Sequence, residues 1–204
     1  MKRFLMSLVV FGGLLLPGWA ADKKLKIVTT TSDLGAIARA VVGEWGEVRS
    51  LCEGKEDPHM LQAKPSYILM ARDADLWIRV GLELEIGWEP PILDGARNPK
   101  IRVGSPGHLD ASETVLVRDV PVMTVTRAMG DVHPQGNPHY WLDPLNGRRV
   151  AAAIAERLAQ LAPERAEAFR ANAVAFQRQL DEKMFGPALL AAASAESLWE
   201  MTGD

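Results

Sequence analysis

Cysteine is nearly absent from the sequence, since Cys52 is the single cysteine among 204 residues. One thiol cannot form an internal disulfide, and it excludes the Cys-x-x-Cys ligand pairs of structural zinc sites. The four histidines also lack the i, i+4 spacing beside a glutamate that marks a helical zinc-hydrolase motif. We therefore expect Cys52 to be a small buried side chain at a strand end. Any metal site must be assembled by the fold from distant residues.

The sequence also has no large excess of charge of either sign. It contains 23 Lys and Arg against 26 Asp and Glu, which gives a net charge of −3, and 48% of its residues are hydrophobic. This composition is typical of a globular protein. Without a surplus of basic residues the chain is a poor candidate for binding nucleic acid, so no nucleic-acid partner is expected.

Long apolar runs are missing except for residues 4–16, which follow Lys2 and Arg3. This run is shorter than the roughly 20 residues that a membrane-spanning helix needs. A basic start, a short apolar middle and small residues up to Ala20 are typical of a secretory signal peptide, so residues 1–20 are predicted to be removed. An uncleaved membrane anchor is the alternative. Export predicts a mature protein in the periplasm.

The next part of the chain alternates between strand and helix patterns. Short β-branched or apolar runs predict strands, and apolar residues at three- and four-residue spacing predict helices. The predicted strands are 25–30, 48–52, 76–80 and 101–103, and the predicted helices are 34–41, 65–73 and 84–93. Repeated strand-helix-strand units predict an α/β fold with a parallel sheet and helices on its faces.

The last part of the chain has a helical pattern throughout. Its longest predicted helix runs from Pro163 to about Lys183 and is ended by Gly186 and Pro187. The chain therefore divides into a signal peptide (1–20), an N-terminal α/β lobe (21–145), a helical segment (146–185) and the start of a further domain (186–204). Because residues 186–204 are too few to build a second sheet, we expect the natural polypeptide to continue beyond Asp204.

Two of the four histidines, His59 and His139, directly follow a proline on a loop. Proline restricts its own backbone and that of the residue before it, so each imidazole is carried by a stiffened segment. His59 follows a predicted strand, at the carboxyl edge where open α/β sheets bind ligands. Rigid presentation suits a metal ligand. A lone loop histidine, however, is more often a hydrogen-bonded structural residue.

The sequence around both histidines resembles one known family, the cluster A-I metal-binding proteins, which bind zinc or manganese for ABC transporters. Residues 56–66 (EDPHMLQAKPS) resemble its first ligand motif, and residues 137–144 (NPHYWLDP) resemble its second. Residues 27–32 resemble its first strand and turn. The helix from Pro163 resembles the long backbone helix that links the family's two lobes.

The resemblance implies a function as well as a fold. His59 and His139 would be metal ligands, and a second α/β lobe, largely absent from this chain, would supply a third histidine or glutamate and an acidic residue. The expected cargo is Zn²⁺, with Mn²⁺ or Fe²⁺ as alternatives, because imidazole suits such cations whereas calcium and magnesium prefer oxygen ligands. A monomeric, non-enzymatic periplasmic protein would deliver the metal ion to an ABC permease.

The remaining candidates are weaker. His133 lies where zinc-specific relatives often carry a His-rich loop, so it is either an auxiliary metal ligand or a solvated loop residue. Asp57 is expected to bond within its own turn or to orient a ligand. Asp143 is expected to cap the following helix, or else to hold a histidine ring. His108 is expected in a turn or in packing.

Two other functions remain open at this point. A periplasmic metal buffer or chaperone without a permease would need the same ligands, so the sequence does not separate it from a transport protein. A zinc-dependent periplasmic hydrolase would also need a general base beside the metal-bound water. No glutamate stands beside either His59 or His139 in a catalytic motif, which disfavours the hydrolase.

Overall fold

The computed structural model describes residues 23–125, 130 and 132–202. The predicted signal peptide, residues 1–20, lies outside this range. Within the range, none of the helices combines the length and the apolar character that crossing a membrane requires.

Four parallel strands form one sheet in the order β2-β1-β3-β4. The strands are β1 Leu25–Thr31, β2 Gly46–Cys52, β3 Leu76–Arg79 and β4 His108–Asp110. The helices are α1 Ser32–Val42, α2 Pro65–Asp73, α3 Glu89–Ala96, α4 Pro144–Leu161, α5 Ala166–Ala192 and α6 Ala195–Met201. The α/β prediction is confirmed. Because the chain runs from β1 to β2 on one side and then to β3 on the other, the carboxyl ends of β1 and β3 form a switch point of the kind that binds ligands.

Helices cover both faces of the sheet, as alternation along the strands requires. Ile27 and Ile78 lie in a core that also contains residues of α1, α4 and α5. Val28 and Trp77, one position away from them, lie in a second core with residues of α2 and α3. The first of these cores joins the sheet to the helical segment.

The predicted helix over residues 84–93 was placed wrongly. Leu82 and Glu83 have positive φ angles of 52° and 67°, and α3 begins only at Glu89, with prolines in its first turn. Proline is tolerated there because the first helical N–H groups have no partner within the helix, whereas in the interior it breaks the hydrogen-bond ladder.

Glu85 organises the turn that replaces the first part of that helix. Its Oε1 accepts hydrogen bonds from the Thr30 hydroxyl and the Val80 N–H, both at 2.7 Å, and its Oε2 accepts from the Gly81 N–H at 3.0 Å. Burial outweighs these bonds and raises the pKa of Glu85 to about 7. A carboxyl that keeps its proton to a much higher pH than an exposed glutamate therefore closes the carboxyl end of β3.

The predicted strand over residues 101–103 is also wrong, because a 3₁₀ turn covers Pro99–Ile101. The side chain of Asn98 caps this turn by accepting from the Lys100 N–H at 3.1 Å. The edge strand is instead β4, seven residues further on. It includes His108, which lies in a strand and is buried, so of the two expected positions, a turn or packing, the structure has the packed one.

The long helix is interrupted where the sequence predicts its end, and a second helical piece follows the interruption. A 3₁₀ turn at Pro163–Arg165 precedes α5, and α5 continues to Ala192 across a kink at Gly186. Gly186 has φ 71° and ψ 166°, so the helical geometry is interrupted at the residue predicted to end the helix. The division at residues 145 and 185 stays a prediction.

Candidate metal site

The loop after β2 holds His59 in a fixed turn. Oδ1 of Asp57 accepts a hydrogen bond from the His59 N–H at 2.9 Å and lies 2.8 Å from the ring atom Nδ1 of the same histidine. The His59 N–H lowers the pKa of Asp57, and the ring bond adds to this effect. The indole N–H of buried Trp88 donates to the carbonyl oxygen of Pro58 at 2.8 Å and so fastens the loop to the second core.

The segment containing His139 repeats this arrangement. Oδ1 of Asn137 accepts from the His139 N–H at 3.0 Å and lies 2.9 Å from Nδ1 of the His139 ring. The hydroxyl of the next residue, Tyr140, donates to the carbonyl oxygen of Val80 at 2.7 Å, which ties the segment to the end of β3. Two Asx-Pro-His turns are therefore anchored to the sheet by one buried aromatic donor each.

In both turns the ring N–H at Nδ1 is directed to the Asx oxygen. A neutral imidazole with its proton on Nδ1 carries its lone pair on Nε2. The arrangement leaves the lone pair of Nε2 available on His59 and on His139. Asp57 and Asn137 occupy the orienting position that carboxylates and carbonyl oxygens often take beside metal-bound histidines.

His133 joins these two histidines. Its Nε2 lies 3.1 Å from Nε2 of His59. The ring centroids are 5.1 Å apart for His59 and His133, 5.3 Å for His59 and His139, and 6.3 Å for His133 and His139. Three of the four histidines therefore meet at one place, although the sequence predicts a loop position with only an auxiliary role for His133.

The separation of the first pair matches a shared zinc ion. Two nitrogens that each lie about 2.0–2.1 Å from one tetrahedral zinc are about 3.3 Å apart, close to the 3.1 Å between the Nε2 atoms. Among the residues with described positions, however, no three His, Cys, Asp or Glu side chains form a ready-made metal cage.

A cleft of about 330 Å³ opens beside the histidines and is lined by His133, His139, Asn137, Asp119 and three smaller or apolar neighbours. Gly136 allows the loop to pass close to residues 117–118. A Cβ at position 136 would lie 2.3 Å from Val117 Cγ1, and the φ angle of Gly136 is 112°. Only glycine suits this position, so the approach of the His133 loop depends on it.

The other candidates lie outside this cluster or serve the backbone. Oδ1 of Asp143 accepts from the Leu145 N–H at 2.9 Å and caps α4. His108 is buried in β4, where its Nε2 is 3.7 Å from Oε1 of Glu89. Cys52 is buried at the end of β2, and burial raises the pKa of its thiol, which disfavours the thiolate that a metal ligand must be.

The sequence interpretation missed two residues of the site, Asn137 and Asp119. Asn137 stands where the resembled motif has an aspartate, and this departure was the available signal. The Nδ2 amide of Asn137 donates to Oδ2 of Asp119 at 3.0 Å. Nothing in the sequence near Asp119 points to a role at the site.

The profile of one protein family, described as "Zinc-uptake complex component A periplasmic", matches residues 27–184. The high-affinity zinc uptake system protein ZnuA of Paracoccus denitrificans is 29% identical over 181 residues, which cover 72% of this chain and 51% of the relative. The manganese ABC transporter substrate-binding lipoprotein PsaA of Streptococcus pneumoniae is 27% identical, with 89% of this chain and 59% of the relative covered. The chain thus spans about half the length of the curated relatives that it matches.

Solved structures support the fold. The Zn(II)-bound AdcA of Streptococcus pneumoniae aligns with a TM-score of 0.62 at 24% identity, covering 78% of this chain and 31% of that one. The Mn-bound periplasmic metal-binding protein of Candidatus Liberibacter asiaticus aligns with a TM-score of 0.63 at 20% identity, covering 79% and 54%. At these identities the similarity establishes the α/β architecture.

Proposed function

This chain belongs to the family of the periplasmic zinc-uptake complex component A, and we propose that it captures a divalent transition metal ion as cargo for an ABC permease. The observation that carries the proposal is the convergence of three imidazoles. His59 and His133 bring their Nε2 atoms to 3.1 Å, and His139 lies beside them with its Nδ1 bonded to Asn137. His59 and His139 are the proposed ligands, and His133 is an auxiliary ligand.

Zinc is the proposed cargo, with Mn²⁺ or Fe²⁺ as the alternatives. Three neutral nitrogens form a ligand set that suits zinc, whereas manganese favours carboxylate, carbonyl and water oxygens. Carboxylates near the histidines are occupied by hydrogen bonds, Asp57 by His59 and Asp119 by Asn137. The relatives include proteins named for zinc and for manganese. The preference for zinc as the cargo of this chain therefore rests on its nitrogen donor atoms.

In this proposal the protein is a periplasmic monomer that catalyses no reaction and binds no nucleic acid. Its partner is the permease of the inner membrane, in line with the relative named an ABC transporter substrate-binding lipoprotein. The ligands come from loops on a rigid sheet edge, so release of the metal ion requires only movement of the loops.

Metal competition tests the choice of cargo. The purified chain is titrated with zinc in the presence of a chromophoric chelator, and bound zinc is then challenged with manganese in roughly hundredfold excess. We expect one zinc ion per chain and retention of zinc under the challenge. Absence of zinc binding would refute metal capture, and displacement by an equal concentration of manganese would replace zinc as the cargo. A His108→Gln variant keeps the three clustered histidines and is the matched control.

Growth in metal-depleted medium separates uptake from buffering. A strain without the gene should need more added zinc than its parent, and accumulation of radioactive zinc should be slower. If accumulation is unchanged while cells become more sensitive to excess zinc, the chain is a buffer and does not serve a permease.

A further inference from the structure

A chain of three side chains leads from the loop at Asp119 to the ring of His139. Oδ2 of Asp119 accepts a hydrogen bond from Nδ2 of Asn137 at 3.0 Å, and Oδ1 of Asn137 lies 2.9 Å from Nδ1 of His139. A backbone bond from the Asn137 N–H to the Arg118 carbonyl oxygen, 2.8 Å long, runs beside the side-chain bond. The two segments are thus held in register where Asn137 meets the histidine.

The direction of the Asn137 amide decides which imidazole nitrogen carries the proton. An asparagine has one accepting end and one donating end. With Oδ1 toward His139, the ring keeps its proton on Nδ1 and its lone pair on Nε2. If the amide turned over, its NH₂ group would face Nδ1, and the ring would move its proton to Nε2. A protonated Nε2 cannot coordinate a metal ion.

We propose that Asp119 is a positioning residue for His139, because its carboxylate, together with the His139 N–H on Oδ1, holds the amide of Asn137 in the direction that leaves Nε2 able to bind metal. The inference rests on the proposed function in that it takes His139 as a ligand. A carboxylate can only accept, so Asp119 attracts the NH₂ end of the amide and repels the oxygen end. The preference is therefore built into the chemistry of the pair.

The other histidine turn needs no such residue. Asp57 occupies the place of Asn137, and both of its oxygens accept, so turning the carboxylate over changes nothing for His59. The site therefore has one turn whose carboxylate can only accept, and one whose amide is held at its oxygen by the His139 N–H and at its NH₂ group by Asp119. This difference arises because the first residue of the Asx-Pro-His pattern is aspartate in one turn, Asp57, and asparagine in the other, Asn137.

The backbone at Asp119 also fits a dedicated role. Its φ angle is 56°, in the left-handed region that aspartate and asparagine tolerate better than most residues. Both Asp119 and Asn137 line the cleft beside His133 and His139. The conformation directs the segment so that the carboxylate reaches Asn137. Substitutions at this position must respect the positive φ, which selects the variants for the test.

The test compares Asp119→Asn with Asp119→Gly in the full, metal-free chain. Both residues accept a positive φ. Asparagine removes the charge but can still accept from Asn137, whereas glycine removes the acceptor. The ring tautomer of His139 is read from its imidazole ¹⁵N chemical shifts at about pH 8.5, well above the ordinary histidine pKa of about 6.5. We expect glycine to shift His139 toward the Nε2–H tautomer and asparagine to leave it on Nδ1.

Two outcomes would overturn the proposal. If Asp119→Gly leaves the tautomer unchanged, the amide is held by other contacts. If both variants shift it equally, the charge of Asp119 acts on the ring directly. In an Asn137→Asp background, which supplies a carboxylate beside His139, Asp119→Gly should no longer move the tautomer. A shift that persists there would contradict a route through the amide.

Zinc titration of the same variants links the tautomer to binding. Changes to residues that orient a metal ligand cost about 10–100-fold in metal affinity. We expect about tenfold weaker binding for Asp119→Gly, at the low end of that range, and little change for Asp119→Asn. The tautomer measurement needs no metal. A chain that fails to bind zinc but shows the predicted tautomer shift would refute the proposed function and leave the positioning role intact, whereas normal zinc binding without the shift would do the reverse.

Discussion

The Nε2 atoms of His59 and His133 lie 3.1 Å apart, although 74 positions separate the two residues in the chain. The first is fixed by a proline turn after β2, and the second is carried by a loop that depends on Gly136. The pair joins a ligand expected from the sequence to one expected only as an auxiliary. Its geometry indicates that the loop takes part in the site.

Removal of the His133 imidazole should weaken zinc binding less than removal of a principal ligand. In His133→Ala, the pair formed by His59 and His139 remains, held by Asp57 and Asn137. We expect about a tenfold loss of zinc affinity, at the low end of the range for groups that support a site. Competition with a chromophoric chelator measures it. Unchanged affinity would make His133 a solvated loop residue.

Zinc affinity should depend on the carboxylate of Asp57, because both of its oxygens can accept a hydrogen bond from the His59 ring. In Asp57→Asn the amide can present either end to His59, so part of the population carries its proton on Nε2. We expect a loss of zinc affinity of about 10–100-fold. The matched reverse change, Asn137→Asp, is combined with Asp119→Asn, so that the new carboxylate faces an amide donor and not a second carboxylate. This double variant should retain binding because a carboxylate always accepts. Equal losses in both variants would contradict the orienting role of the Asx oxygens.

The hydrogen bond from Trp88 to Pro58 should stabilise both the second core and the turn that holds His59. Trp88→Phe keeps an aromatic side chain but leaves the carbonyl oxygen of Pro58 without its donor. We expect the free energy of unfolding to fall by about 1 kcal/mol from the lost hydrogen bond, with a further loss from the smaller ring. Urea denaturation of the metal-free chain measures it. Zinc affinity should fall a few-fold, and an unchanged affinity would show that the turn holds without this anchor.

Glu85 should make the stability of the fold fall as the pH rises. Its pKa is about 7 in the folded chain against 4.5 ordinarily, so the folded state retains the proton after the unfolded state has lost it. Ionisation therefore favours unfolding progressively from about pH 4.5 to 7, and the loss is complete above pH 7. At 1.36 kcal/mol per pKa unit the loss is about 3 kcal/mol.

Denaturation of Glu85→Gln across this pH range checks the expectation. The variant cannot ionise at position 85, so its free energy of unfolding lacks this loss. The difference in free energy of unfolding, variant minus parent, should therefore increase as the pH rises. Any constant cost of the substitution cancels in the pH dependence. A difference between the two proteins that does not change with pH would show that folding leaves the pKa of Glu85 unchanged.

Sequence patterns predicted the helices and strands whose ends are set by neighbouring residues in the chain. Thr31 caps α1 by accepting from the Leu34 N–H, Gly43 ends the helix with a positive φ angle, and Pro65 begins α2. The predictions failed between β3 and β4, where tertiary contacts decide the conformation. There the buried carboxylate of Glu85 and the capping side chain of Asn98 organise turns in segments whose apolar residues suggest a helix and a strand.

The site was predictable to the extent that its residues stand in recognisable turns. His59 and His139 each follow an Asx-Pro pair, and the sequence around them resembles a known family. The convergence of His133 was not predictable, because it depends on how a loop folds over residues 117–119. The bond between Asp119 and Asn137 joins positions 18 residues apart, and no periodicity or motif encodes such a pairing.

The most direct test of the account is the zinc affinity of His59→Ala and His139→Ala in the full chain, measured by isothermal titration beside His108→Gln. The Nδ1 atoms of His59 and His139 face Asx oxygens, so loss of either ring should cost more zinc affinity than loss of the auxiliary His133. We predict that each alanine variant binds zinc about 100-fold more weakly or worse, while the His108 variant, with the three clustered histidines intact, binds as the parent does. Parental affinity in both alanine variants would contradict the assignment of the site.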